Sequence, residues 1–280
     1  MRLLLVLFSV IFLASCSSKL AYNNLDWWVY WYLDDYIELK DEQEEKFDDY
    51  LQNWLRWHKT SELERYKAHL SEIESQIKNG RLDSGAVQGH LVLAREHWER
   101  VRDEISPELV SIAKTLDDDQ VVSLFAALEK DNKEEEEERL ETLAKSEEKR
   151  LEERIERIEE TISERIGKLS DEQKQIVATY ASQFIPTGEE WLNYRRDIQN
   201  AARKLFVTRK FNKDFETELI ALMQNPDTFK SDIYKQSSEH NQAVTATLIS
   251  EIFSTLSDKQ RDTLLKNIDE LIETVENFKK

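Results

Sequence analysis

The sequence is poor in the residues that break helices: five glycines and three prolines in 280 residues. Sheet proteins need a turn every few residues, so so few turn formers exclude a many-stranded fold. Cysteine occurs once, at Cys16, which leaves no intrachain disulfide and no zinc-thiolate site. Cations are also scarce, with 39 Lys and Arg against 57 Asp and Glu and a formal net charge of -18. Nucleic-acid binding depends on clustered Lys and Arg at the phosphates, so no nucleic-acid partner is expected. No G-x-S-x-G, H-E-x-x-H or P-loop motif is present, and with them go the familiar templates for acyl transfer, zinc hydrolysis and phosphate binding.

What remains is rich in helix formers. Charged residues make up 34% of the chain and hydrophobic ones 40%, and the charged share is mostly Glu, Lys and Arg, which lose little entropy in a helix. The expected fold is all-α: an elongated helical bundle with long antiparallel helices and one very long charged helix.

The first residues have a different character. Arg2 precedes an apolar run of eleven residues, Leu3 to Leu13, which ends at Ala14 and Ser15 before Cys16. A helix needs about 20 apolar residues to span a bilayer, so residues 1–15 read as a signal peptide. Leu13-Ala14-Ser15-Cys16 resembles the bacterial lipobox. That resemblance implies diacylglycerol on the Cys16 thiol, cleavage before it and acylation of the new amino group. The covalent lipid is the only cofactor expected, and no metal is. One acyl chain gives marginal membrane binding, whereas a triacylated cysteine anchors stably. Ser17 stands where many Gram-negative lipoproteins carry an inner-membrane retention aspartate, so the resemblance implies the periplasmic face of the outer membrane. Loss of the leader with Arg2 would take the charge to -19. The tether, residues 16–21, reaches less than roughly 20 Å beyond the lipidated residue.

Next comes YNNLDWWVYWYLDDYIEL, residues 22–39, and five of the seven tryptophans (Trp27, Trp28, Trp31, Trp54, Trp57) lie between positions 27 and 57. As a helix, the segment places Trp27, Trp31 and Asp34 or Asp35 on one face and Trp28, Tyr32 and Tyr36 on another. Three readings fit: bundle core, a membrane-interface belt, or a groove for a partner. Trp27, Trp31, Trp54 and Trp57 are the candidate binding surface. This block, directly after a lipobox and before a D-E-Q helix start, resembles the lipoprotein family catalogued as domain of unknown function 6279. The resemblance implies lipoprotein status and carries over no catalytic residue.

Helical spacing continues from Asp41 through Phe47, Leu51, Leu63, Leu70 and Ile77, with Gly80 placed as a C′ residue. A second helix is predicted from about Ser84 to Ile105, interrupted by Pro107 and followed by a short helix to Thr115. Residues 118–168 read as one continuous helix of roughly 75 Å at 1.5 Å per residue, with the run KEEEEE at 133–138 a solvated face. Its second half (Leu140, Leu143, Leu151, Ile155, Ile158, Ile162, Ile166, Leu169) forms a narrow seam suited to coiled-coil packing on one neighbour. Pairs such as Glu135 with Arg139, Glu141 with Lys145 and Glu153 with Arg157 support its exposed face.

Four segments share the form L-x-D-x-Q, starting at Leu39, Leu116, Leu169 and Leu256. Asp117, Ser170 and Ser257 fit the N-cap of a capping box, with Gln120, Gln173 and Gln260 reaching back; Lys40 breaks the pattern in the first copy. Copies one and two are 77 residues apart and copies three and four 87. Either good caps simply recur, or two helical modules are related. The expected division is an N-terminal module at 22–130, a charged connecting helix at 131–168 and a C-terminal module at 169–280. The motif also resembles the L-T-x-x-Q element of small periplasmic stress chaperones, which implies a chaperone or adaptor role.

The histidines (His58, His69, His90, His97, His240) are scattered. His90 and His97, seven apart on one helix, share a face near Glu96 and Glu99, but one face is not one site. Ala221-Leu222-Met223-Gln224-Asn225-Pro226 faintly resembles the G-L-M-Q stretch of lytic transglycosylases without its leading glycine or a preceding Glu-Ser pair. The expected function is non-enzymatic: a lipid-anchored outer-membrane protein facing the periplasm that binds an envelope protein or peptide. The alternatives are a peptidoglycan hydrolase and a structural spacer.

Overall fold

The computed structural model describes Tyr22 and residues 24–279. The leader, Cys16 and the tether expected from the sequence lie outside the described residues. Among these residues all regular structure is helical, so the all-α bundle is observed.

The order is α1 (Leu25–Asp34), α2 (Asp41–Trp57), a π turn (His58–Glu62), α3 (Leu63–Lys78), α4 (Ser84–Ala113), α5 (Asp118–Ala144) and α6 (Glu147–Ile166). Then follow α7 (Asp171–Ala181), α8 (Gly188–Thr208), α9 (Phe215–Gln224), a 3₁₀ turn (Pro226–Phe229), α10 (Asp232–Ser254) and α11 (Asp258–Phe278). Early helices pack on late ones: α3 on α11, α4 on α9 and α10, and α5 on α8. The largest core joins Phe47, Leu51, Val110 and Phe125 to Phe206, Phe215 and Leu219. A second joins Ile77 and Val87 to Ala246, Phe253 and Ile268, and a third joins Tyr22, Leu25 and Leu63 to Val275 and Phe278. Helices on either side of residues 131–168 thus bury their apolar faces against each other.

Two boundaries differ from expectation. The long charged helix is broken: Lys145 is extended at ψ 152°, and the Ser146 hydroxyl caps α6 by accepting from the Lys149 amide. Ser-Glu-Glu is an N-cap followed by an acidic first turn, which the helix dipole favours, and this local signal overrides the continuing apolar spacing. Lys145 bridges the break to Glu153 at 2.8 Å, while Arg139 pairs with Glu189 rather than along its own helix. The seam is shortened too. Leu140 and Leu143 are exposed, whereas Ile155, Ile158, Ile162 and Ile166 pack into a fourth core, where α6 meets both α7 and α11. The acidic run is not wholly solvated, because Glu136 faces Arg196 of α8 at 2.8 Å, and just before the run Asp131 pairs with Arg195 at 3.2 Å.

Pro107, expected to interrupt a helix, lies inside α4. It has no N–H, so the Asp103 carbonyl one turn earlier lacks its helical donor. The Gln224 side-chain amide supplies one at 3.2 Å, and a donor from another helix lets α4 continue. Gly80 is in the left-handed region at φ +66°. With Gly80 N–H donating to Ile77 O and Arg81 N–H to Gln76 O, α3 ends in a Schellman motif.

Candidate functional site

The four candidate tryptophans do not form one surface. Trp27 and Trp31 are exposed at 57% and 55%, together with Trp28 at 38%. The three rings contact edge to face, Trp27 on Trp28 at 4.8 Å and Trp28 on Trp31 at 6.0 Å. Trp54 turns inward instead, packing on Phe47 and Tyr50 with its indole N–H donated to Glu108. Trp57 is half-buried. The cause lies in the register of α1. Leu25 is buried, and Val29, Tyr30 and Leu33 pack against the largest core. At 100° per residue that leaves Trp27, Trp28 and Trp31 on the opposite side. The helix is apolar on both faces and only one meets the bundle.

Phenols clamp it in place. Tyr30 Oη donates to Asp48 at 2.7 Å and Tyr36 Oη to Asp131 at 2.5 Å, while Tyr22 stacks on Phe278 at 4.2 Å and bonds His58 Nδ1 at 2.9 Å. Tyr30 of α1 and the flanking Tyr22 and Tyr36 thus tie the segment to α2, α5 and α11, leaving the tryptophan face outward.

A second constellation lies between α3 and α4. The backbone N–H of Leu63 bonds His58 O, five residues back, and this π turn accompanies the inward placement of Glu62, which is 1% exposed. Arg100 Nε faces both Glu62 carboxylate oxygens at 3.1 and 3.2 Å, and Arg65 Nε approaches at 3.2 Å. π turns often mark functional positions; here the turn positions a buried ion pair.

From Arg100 a chain of rings runs along the two helices. Arg100 contacts His97 Nδ1; His97 Nε2 meets His69 Nδ1 at 3.1 Å, His69 Nε2 meets His90 Nδ1 at 3.0 Å, and His90 Nε2 meets Gln76 Oε1 at 3.1 Å. A guanidinium can only donate, so His97 Nδ1 must accept and its Nε2–H must donate. The same logic then fixes His69 and His90 as neutral Nε2–H tautomers, ending on the Gln76 carbonyl oxygen. Burial lowers His69 and His97 from the ordinary 6.5 to about 4, helped by His97 and His90 around His69 and by Arg100 and Arg65 around His97. His90 is lowered by burial against an opposing effect of Glu72.

Each ring nitrogen in the chain has a partner and the three rings are strung in line. Among the described residues, no group of three or more His, Cys, Asp or Glu is arranged to hold a metal. Glu96 and Glu99 sit apart from the chain, Glu96 near Arg100 at 4.0 Å and Glu99 on Arg95 at 2.7 Å. His240 bonds Gln183 O. The sequence reading missed this cluster by treating each helix alone. Its signal is seven-residue spacing on both helices, Glu62, His69 and Gln76 opposite His90 and His97.

A shallow, open depression between α8 and α9 is lined by Leu205, Leu222 and Phe229 together with Asp197, Lys204 and Glu218. The stretch from Ala221 to Pro226 forms the end of α9 and one side of this depression.

The model of a family described as Family of unknown function (DUF6279) matches residues 35–235. No curated protein and no solved structure matches the chain.

Proposed function

The chain belongs to the DUF6279 family, and we propose that it is a lipoprotein anchored through Cys16 in the outer membrane, facing the periplasm, with a non-enzymatic adaptor or chaperone-like role. The observation that carries this reading is the lipobox Leu13-Ala14-Ser15-Cys16 behind an eleven-residue apolar run. Among the described residues no helix is long and apolar enough to cross a membrane, so attachment in this reading rests on the lipid. Binding rather than catalysis is supported by how the polar side chains are used. Glu62 pairs with Arg100, and His69, His90 and His97 bond one another, whereas the open α8–α9 depression is lined by apolar side chains and by charges of both signs. A bond-breaking reaction requires an acid and a base in unlike environments around one reacting atom, and the binding reading asks for no such pair.

Two measurements test the proposal. A Cys16→Ser chain loses palmitate labelling and membrane association in fractionated cells; retention of both overturns the anchor. Incubated with peptidoglycan, the purified chain releases no muropeptides; release establishes the hydrolase instead.

A further inference from the structure

We propose that the outward face of α1, built from Trp27, Trp28 and Trp31, docks into the headgroup layer of a zwitterionic phospholipid bilayer. This rests on the anchored reading above and specifies what the tryptophans do there.

The inner face of α1 is occupied, because Leu25, Val29, Tyr30 and Leu33 pack on the bundle. The outer face exposes three large rings in a chain of net charge -18. Indole is amphipathic, with a broad apolar body and one N–H, and tryptophan concentrates where hydrocarbon meets water. The location follows from chain length. Cys16 lies nine residues before Leu25, so even fully extended chain holds the start of α1 within roughly 30 Å of the lipidated residue. A short tether raises the effective concentration of the face at the bilayer toward the millimolar range. Docking too weak to hold a free protein then becomes persistent.

The polarity along α1 agrees with this placement. Trp27 and Trp28 sit in the first turn, nearest the lipid, whereas the exposed Asp34 and Asp35 close the helix at its far end. Asp26 is at the near end, but its carboxylate accepts from the Trp27 amide at 2.8 Å, at the helix terminus where negative charge is favoured. Lys and Arg are absent from α1, so nothing on this helix selects anionic lipid, and the acidic body opposes it. A zwitterionic surface is the match. The bonds of Tyr30 to Asp48 and of Tyr36 to Asp131 join the docked segment to α2 and α5, so docking would bear on how the bundle stands on the membrane.

The test uses the full lipidated protein in phosphatidylcholine vesicles whose acyl chains are brominated either near the headgroup or near the terminal methyl. Tryptophan fluorescence is quenched most by the shallow bromines. In a Trp27→Phe, Trp28→Phe, Trp31→Phe chain this quenching is lost while thermal unfolding is unchanged, because the rings lie off the core. A Trp31→Phe chain, which alters one exposed ring, shows a partial loss and keeps the test valid should the triple variant unfold. Palmitate labelling separates the two readings. Label on Cys16 without shallow quenching overturns docking and leaves the anchor; tryptophan-dependent quenching without label overturns the anchor and leaves docking. A dimer in vesicle-free solution whose tryptophans are shielded from acrylamide also overturns docking, since a second copy then covers the face.

Discussion

Gln43 and Gln120 exchange side-chain hydrogen bonds across the bundle, each Nε2 donating to the other's Oε1 at 3.2 and 2.7 Å. Gln173 and Gln260 repeat the exchange at 3.1 and 2.9 Å. The second donor of each amide follows the same rule: it goes to the carbonyl just before the leucine of the partner motif, at Thr115, Glu38, Thr255 and Lys168. Each glutamine also accepts from its own N-cap amide, at Lys40, Asp117, Ser170 and Ser257. The L-x-D-x-Q segments therefore pair one with two and three with four through equivalent reciprocal bonds, which recurrence of good caps alone does not require.

Removing one of these amides strands its partner. Gln173 is fully buried, so Gln173→Leu leaves Gln260 and the Thr255 carbonyl without that donor and the Ser170 amide without its acceptor. An unsatisfied buried polar group costs about 1–3 kcal/mol, and urea unfolding of Gln173→Leu should lose at least that. Gln173→Leu with Gln260→Leu should lose less than the sum of the single changes. Strict additivity would show that the two side chains do not act as a pair.

Two glycines respond oppositely to alanine. Gly80 at φ +66° closes the Schellman turn, and Gly80→Ala costs roughly 1–2 kcal/mol from backbone strain alone. Gly89 is inside α4, and a methyl group there meets nothing within 4 Å. Gly89→Ala should therefore stabilise by about 0.8–1 kcal/mol. Chemical unfolding of both chains checks the sign as well as the size; a loss at Gly89 would mean that α4 is not helical there.

The helix class, the capping glutamines and the Gly80 stop were legible because each is set by a few adjacent residues. Lys40 departs from the motif, yet α2 still begins at Asp41 because Gln43 performs its half of the cap and the Lys40 ammonium pairs with Asp117, the N-cap of the partner motif, at 2.6 Å. What was not legible depends on a second helix. Pro107 is tolerated because of Gln224, far along the chain. Trp54 and Trp31 carry the same side chain, and only the packing around Phe47 decides which is turned inward. The histidines are ordinary on their own helices and form a chain only when α3 lies on α4.

Glu62 anchors that chain, and neutralising it should be severe. The carboxylate is buried against Arg100 and Arg65. Breaking a buried pair typically costs 3–5 kcal/mol, and because Arg100 is partly exposed the lower end, about 3 kcal/mol, is expected for Glu62→Gln. Glu62→Leu with Arg100→Met should recover part of the loss, since well-packed apolar groups often replace buried ions without penalty. Thermal unfolding that places Glu62→Gln at the parent midpoint would contradict the buried ion pair.

The imidazole chain makes stability fall on acidification. In the unfolded chain the histidines titrate near 6.5, whereas burial holds His69 and His97 at about 4 in the folded one. Their folded values are depressed, so between these limits the unfolded chain takes up protons that the folded chain refuses, and acid favours unfolding. The loss begins as pH drops below 6.5 and is complete below about 4. Most carboxylates titrate below 5, so the interval from 6.5 to 5 isolates the histidines. Over it, urea midpoints should fall, and fall less steeply in His69→Phe, which removes the central ring. The physical reason is geometric as well as electrostatic. A proton on any ring would set N–H against N–H or against Arg100, and the one-way order of donors running from Arg100 to Gln76 would be lost. Nitrogen NMR at pH 7.5 should show all three rings as neutral Nε2–H tautomers. An Nδ1–H tautomer at His97 would mean that Arg100 does not donate to it, and the chain would have no fixed direction.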